Sequence, residues 1–181
     1  TAIDGLKLGL EGAHQQSNAA VAISLVLAMG LRDSGLSVGE GAIREGLANA
    51  RHPGRLEWVG DSILIDGAHN VESATALANY IQRLDAPEGC TLLLGASSDK
   101  NVRSIATTLA PYVNAVITTR CSHPRAMEPG DVAAQLVDLK LPVTPAGRVE
   151  EALEVAKGNG GIVVVAGSLF LAGAVRELCG R

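Results

Sequence analysis

The stretch SILIDGAHNVESATALANYIQ, residues 62–82, joins a short apolar run to a segment with helical periodicity. Residues 62–65 predict a buried strand, and from Val71 onward the apolar residues recur at a spacing typical of a helix. The five residues between them, DGAHN at 66–70, carry a carboxylate, an imidazole and an amide. Because ligands of α/β sheets bind beyond the carboxyl ends of the strands, this corner is a candidate site.

Strands and helices alternate from this stretch to the end of the chain. LEWV and SILI around Gly60-Asp61 predict a hairpin. Continuous apolar strands separated by helices indicate an α/β fold, a doubly wound, mostly parallel six-stranded sheet with helices on both faces. The predicted elements that follow the hairpin are helices at 71–84, 102–110, 130–139, 149–157 and 168–178, and strands at TLLLG, NAVITT, Val143 and GIVVVAG.

The first fifty residues predict a separate, smaller piece. Leucines alternate with polar or small residues over 6–10 and indicate a strand, and QQSNAAVAISLVLAMG predicts a buried helix ending near Gly30. Ser37 and Glu40 have capping-box spacing, so a second helix is predicted to about residue 50. The Pro-Gly breaker in RHPGR then sets the domain boundary. A strand and two helices cannot cover their own apolar faces, so exposed apolar surface is expected here.

Composition narrows the class of protein. The 181 residues carry a formal net charge of -4 and no basic block, which argues against a broad nucleic-acid surface. No apolar run approaches the roughly 20 residues of a membrane span. The three scattered cysteines, Cys90, Cys121 and Cys179, predict reduced thiols rather than a disulfide framework or a metal site. We expect a cytoplasmic, monomeric protein, and a start at TAIDG without methionine indicates a portion of something longer.

Four polar corners follow predicted parallel strands, at 66–70, 95–101, 118–126 and 167–173. Parallel strands direct such corners to one rim of the sheet, where a ligand bearing phosphate or carboxylate would bind. Within the first corner, Gly67 is expected to bring the backbone close to a ligand or to need a positive φ. Asn70 is predicted to cap the following helix rather than to contact a ligand.

Longer motifs give a resemblance to a known family. PGRLEWV followed by ILIDGAHNVESATAL closely resembles the start of the C-terminal domain of the folylpolyglutamate synthase/dihydrofolate synthase family, within the Mur ligase superfamily. GAHQQSNAAVAI resembles the part of that family's central ATPase domain near the nucleotide base, and SSDKN, HPRA and GSLFLAGAVR follow in the expected order. Val71 replaces a usual proline, which changes little because proline is merely favourable at the first helical position.

The resemblance implies a domain assignment and a reaction. Residues 1–50 would be the tail of the central ATP-binding domain, and residues 51–181 the Rossmann-like C-terminal Mur-ligase domain. The reaction implied is ATP-dependent, ADP-forming addition of L-glutamate to folate or dihydropteroate through an acyl phosphate. The sequence lacks a phosphate loop of the form G-x-x-x-x-G-K-[ST]. The chain alone is therefore expected to be inactive and to hold neither ATP nor Mg²⁺, which the full-length enzyme with its N-terminal ATPase portion would use.

The resemblance also implies roles for individual residues. Asp66 would contact the nucleotide or a catalytic network of water and metal, with His69 donating to a phosphate oxygen or orienting Asp66. Arg55 would bind phosphate and Asn18 would hold the adenine or ribose. The alternatives are a turn residue for Asp66, a backbone-bonded His69, a surface Arg55 and an interdomain hydrogen bond for Asn18. Assigned less specifically to the ribose, the incoming glutamate or a domain interface are Asp99, Lys100, His123, Arg125 and Ser168.

Other readings of these residues stay open. Each member of the less specific group also fits a solvated loop, and Ser168 fits a helix cap. No metal ligand is assigned. Besides the ligase portion, the sequence allows the C-terminal domain of another Mur-type amino-acid ligase, or a binding module without catalysis. A dinucleotide-binding domain is disfavoured, because no G-x-G-x-x-G follows the first strand.

Overall fold

The chain divides into two compact units, Thr1–His52 and Pro53–Arg181. This computed structural model describes residues 3–30 and 38–180. The division falls two residues after the boundary that the Pro-Gly breaker predicts. No helix in the described ranges is long and apolar enough to cross a bilayer.

The first unit contains two helices, α1 (His14–Gly30) and α2 (Glu40–Asn49). The strand predicted over residues 6–10 is wrong. Its three leucines are half-buried, but the described residues of this unit contain no strand to pair with, and Gly9 N–H instead donates to Leu47 O at 2.8 Å. Helix α2 begins after Gly39, and Ser37 of the predicted capping box lies outside the described residues.

Helix α1 leaves most of its apolar side chains uncovered. Its buried residues are Gln15 and Ala19. Val21 and Leu25 are 60% and 61% exposed, and Leu27 and Met29 are exposed as well. The apolar exposure predicted for this segment is therefore present, while its assignment to a larger domain stays a prediction.

The second unit contains the predicted six-stranded sheet, in the order β1-β2-β6-β3-β4-β5. β1 and β2 form the antiparallel hairpin, and all other pairs are parallel. β6 lies between β2 and β3, so the chain crosses the sheet in both directions. The strands are β1 (Glu57–Val59), β2 (Ile63–Ile65), β3 (Cys90–Leu94), β4 (Ala115–Arg120), β5 (Val143–Arg148) and β6 (Ile162–Ala166).

Helices cover both faces of this sheet, because alternate strand side chains point to opposite sides. Leu64 and Leu92 pack with α3 and α4 in one core cluster, whereas Ile65 and Leu93 pack with α6 and α7 in the other. Two helices are shorter than predicted by three residues or more: α3 ends three residues early, and the segment after α5 continues as turns. The helices are α3 (Val71–Ile81), α4 (Val102–Leu109), α5 (Pro129–Ala134), α6 (Val149–Gly158) and α7 (Leu169–Leu178), with a 3-10 turn at Ala110–Tyr112.

Candidate functional site

The polar corners lie at one rim of the sheet, where the parallel strands end. Backbone hydrogen bonds beyond the strands connect them. Gly167 N–H donates to Ala68 O at 2.7 Å, and Gly95 N–H donates to Ala166 O at 3.3 Å. The corners after β2, β6 and β3 are therefore direct neighbours, as their predicted position at the carboxyl ends requires.

Asp66 is the buried acid of this rim, with 5% of its surface exposed. Its Oδ2 accepts a hydrogen bond from Leu56 N–H at 3.0 Å, and its own N–H donates to Val165 O at 3.0 Å. The carboxylate thus holds the backbone of the turn before β1, as the structural alternative for Asp66 predicts. Contact of Asp66 with a nucleotide stays a prediction.

The turn at residues 54–57, called the 54–57 turn below, carries Arg55. Gly67 N–H donates to Gly54 O at 2.7 Å, and Gly54 N–H donates to Glu57 Oε2 at 2.8 Å. Glu57 also forms a 2.8 Å ion pair with Arg176 of α7, and both side chains are largely buried. Arg55 itself is half-buried and makes no hydrogen bond or ion pair with a described residue, so its guanidinium donors are available to a ligand.

His69 and Asn70 complete the first corner. His69 Nδ1 lies 2.8 Å from Gly67 O, so the ring is bonded to the backbone, one of the alternatives for this residue. Asn70 is the N-cap of α3, where its Oδ1 accepts from Ser73 N–H at 2.8 Å within a capping box. The prediction that Asn70 caps the helix is confirmed.

The second and third corners form a mixed-charge cluster. Lys100 Nζ lies 3.1 Å from Asp99 Oδ2, and Arg125 Nη1 lies 3.7 Å from Asp99 Oδ1. The hydrogen bond from Lys100, supported by the charges of Lys100 and Arg125, lowers the pKa of the exposed Asp99 carboxyl. Three residues assigned separately from the sequence thus contact one another.

His123 and Ser168 connect the third and fourth corners. The rings of His123 and Phe170 stack with centroids 4.1 Å apart. Arg125 N–H donates to His123 Nδ1 at 3.2 Å, so the proton of the neutral ring is on Nε2. Ser168 caps α7 by accepting from Phe170 N–H at 3.1 Å. Burial raises the pKa of the Cys121 thiol, and a hydrogen bond with Ser168 partly opposes this rise.

A cleft of about 820 Å³ opens beside the rim, between the loop after β4, the start of α6 and the end of α7. Its lining includes Arg120, Arg148 and the predicted His123 together with two glutamates. The two arginines are register neighbours at the carboxyl ends of β4 and β5, and Arg120 is paired with Glu128. The sequence analysis did not assign either arginine. The signal for them is that each ends a strand of the parallel sheet, where ligands bind.

Asn18 belongs to the first unit. It is exposed, and its Nδ2 donates to Gln15 Oε1 at 2.9 Å, while Gln15 Nε2 lies 3.0 Å from His14 Nε2. These polar side chains form a row at the start of α1. In the described parts of the chain, no group of three or more His, Cys, Asp or Glu residues is arranged to hold a metal ion.

A sheet of this order with helices on both faces defines a doubly wound α/β domain, a class whose ligands bind beyond the carboxyl ends of the strands. Residues 54–169 of the chain match the family model described as "Mur ligase, glutamate ligase domain". The chain therefore belongs to the Mur ligase family.

Named relatives share this similarity over nearly the whole chain. A dihydrofolate synthase/folylpolyglutamate synthase of Bacillus subtilis is 28% identical over 96% of this chain. A folylpolyglutamate synthase structure of Mycobacterium tuberculosis, complexed with ADP and AMPPCP, is 31% identical with a TM-score of 0.86 over 96% of the chain. A bifunctional synthase structure from Yersinia pestis, with AMPPNP and Mn ion, is 25% identical with a TM-score of 0.78 over 99% of the chain. The chain spans 41% of the first relative and 42% of each of the other two.

Proposed function

We propose that this chain is the C-terminal portion of an ATP-dependent, ADP-forming ligase. The longer enzyme adds L-glutamate to folate or dihydropteroate through an acyl phosphate. The observation that carries this proposal is the similarity over 96% of the chain to a folylpolyglutamate synthase complexed with ADP and AMPPCP. In the proposal, residues 1–50 are the tail of the central ATP-binding domain, and residues 51–181 are the C-terminal domain.

The corner after β2 and the 54–57 turn serve the nucleotide in this proposal. Arg55 has no partner among the described residues, and its rigid paired donors suit the oxygens of a transferring phosphoryl group. Asp66 contacts the nucleotide or a catalytic network of water and metal, and His69 holds its ring against Gly67 O while presenting Nε2. Asn18 binds the adenine or ribose from the first unit.

The mixed-charge cluster serves the incoming amino acid. Lys100 and Arg125 supply positive charges for the glutamate carboxylates, and Asp99 orients both of them. His123 supplies Nε2–H at the same corner, and Ser168 orients the start of α7. Holding the amino acid against the acyl phosphate converts an encounter of two molecules into a reaction within one complex.

ATP and Mg²⁺ belong to the longer enzyme in this proposal. The relatives' complexes with ADP, AMPPCP, AMPPNP and Mn ion support a nucleotide and a divalent metal. When bound, the metal would neutralise phosphate charge. We assign this chain the phosphate, ribose and amino-acid contacts, and assign the phosphate loop and the metal ligands to the rest of the enzyme.

The test is ADP release with folate or dihydropteroate and glutamate present. We expect no turnover by the 181-residue chain alone and clear turnover by the longer enzyme. In the longer enzyme, Arg55→Ala or Asp66→Ala should lower turnover about 100-fold, the usual effect of losing one positioned charged group. Arg83→Ala is the matched control, because this exposed arginine follows the opposite end of α3.

Three results would contradict the proposal. Robust turnover by the chain alone would overturn the assignment as an inactive portion. Turnover of the longer enzyme with another amino acid in place of glutamate would favour a different Mur-type ligase. Complete absence of ADP release in the longer enzyme would favour a binding module.

A further inference from the structure

Leu56 has an unusual backbone conformation. Its φ of 44° is the one positive value at a non-glycine residue in the described part of the chain. Leucine disfavours this left-handed region, because its Cβ crowds the backbone there. Such strain persists only where the surrounding structure determines the conformation from several sides.

Three contacts hold Leu56 in this state. Its N–H donates to the buried Asp66 carboxylate at 3.0 Å. Its side chain is 4% exposed and packs in the same core cluster as Leu64. Two residues earlier in the turn, Gly54 O accepts from Gly67 N–H at 2.7 Å. The carboxylate, the core and the neighbouring corner therefore fix the backbone on both sides of Arg55.

Arg55 depends on this backbone for its direction. The side chain is half-buried but has no hydrogen bond or ion pair with any described residue, so no contact of its own orients it. A left-handed residue reverses the local chain direction, and a relaxed Leu56 would turn the Cα–Cβ bond of Arg55 elsewhere. The strain is thus located where it can set the direction of one free cation.

We propose that Leu56 is a positioning residue, latched by Asp66, that directs the Arg55 guanidinium toward a phosphoryl group. This inference rests on the proposed function, in which Arg55 binds a phosphoryl group. It adds a second role for Asp66 and a cause for the placement of Arg55. Leu56 touches no reactant and acts through its neighbour.

A stability comparison tests the strain. Leu56→Ile conserves volume but places a β-branched residue at φ 44°, whereas Leu64→Ile makes the same change in the same core cluster on strand β2. The free energy of unfolding of the 181-residue chain should fall more for Leu56→Ile than for Leu64→Ile. Leu56→Met, unbranched and of similar volume, should remain close to wild type. Equal losses for the two isoleucine variants would overturn the strained latch.

A double-mutant cycle in the longer enzyme tests the positioning. Leu56→Ile should lower kcat about 10-fold or more, since a small misplacement of a catalytic group has effects of this size. In an Arg55→Ala background the same substitution should cause no further loss of kcat, although its effect on stability persists. The Leu56→Met variant should have a kcat close to that of the wild-type enzyme. An equal further loss of kcat in the Arg55→Ala background would overturn the positioning role alone.

Failure of the proposed function gives a different result from failure of this inference alone. Wild-type kcat for Arg55→Ala would overturn both the nucleotide assignment of Arg55 and the positioning role of Leu56. If Leu56→Ile fails to fold, Leu56→Gly replaces it, because glycine adopts φ 44° freely but lacks the side chain that anchors the turn. Its loss of kcat should again vanish in the Arg55→Ala background, and persistence of that loss would overturn the inference.

Discussion

Gly167 is the residue whose replacement should damage the rim most. It connects β6 to the cap of α7 at a φ of 105°, and its N–H donates to Ala68 O at 2.7 Å. A Cβ at this position would lie 2.6 Å from Gly95 O and 2.9 Å from Leu94 Cδ1. Because the nearest atom is a backbone oxygen of the adjacent corner, the collision cannot be relieved by rotating a side chain.

The expected loss for Gly167→Ala follows from two effects. A non-glycine residue at this φ costs about 1–3 kcal/mol of strain. Forcing a methyl group against fixed backbone costs a further 1–3 kcal/mol, approximately. We therefore expect the free energy of unfolding to fall by roughly 4 kcal/mol.

Urea unfolding of the 181-residue chain, followed by fluorescence of the single tryptophan Trp58, measures this loss in the second unit. The matched control is Gly173→Ala, inside α7, where the added methyl group has no atom within 4 Å beyond its chain neighbours and the adjacent backbone of the helix. It should stabilise the unit by about 0.5–1 kcal/mol. A Gly167→Ala variant within about 0.5 kcal/mol of wild type would refute the clash argument.

Three more predictions concern side chains of the second unit. Arg176→Ala should lower the free energy of unfolding by about 1.5 kcal/mol, because the 2.8 Å ion pair with Glu57 is lost; an unchanged urea midpoint would contradict this. In native protein at pH 8, Cys179 should react with a thiol reagent before the two buried cysteines, whose thiol pKa burial raises, and all three should react in urea. Lys100→Ala should raise the pKa of Asp99, so that its carboxylate protonates at higher pH than in wild type; an NMR titration showing no change would disprove the assigned cause.

The sheet could be predicted because burial on both faces leaves a direct record in the sequence. TLLLG and GIVVVAG each contain a continuous apolar run, and their strands are buried almost throughout. The alternation over residues 6–10 misled for the opposite reason. An alternation with a period of two indicates that every second side chain is partly buried, and the leucines of this segment are half-buried. A strand also requires a neighbouring strand that bonds to its backbone.

The rim itself followed from the parallel strands, but individual contacts within the candidate site were predictable only where they are local. Asn70 bonds to an amide three residues away, so its sequence context is sufficient. The hydrogen bond from Leu56 to Asp66 spans ten residues and depends on the hairpin register. Nothing about a leucine signals a positive φ. Likewise, Arg120 and Arg148 become neighbours only through the pairing of β4 with β5.

The same long-range hydrogen bonds explain how a rim built from four loops can hold its side chains on a backbone of fixed geometry. Loops ordinarily move more than the strands they connect. Here Gly67 N–H is bonded to Gly54 O, and Gly167 N–H to Ala68 O, so the sheet's hydrogen bonding continues past its strands. The backbone is thereby fixed while the Arg55 side chain is left without a partner among the described residues. Ordering that one side chain costs far less entropy than ordering a loop. In the proposed function, a reactant would therefore order only the Arg55 side chain, on a backbone whose direction at that residue is set by the proposed role of Leu56.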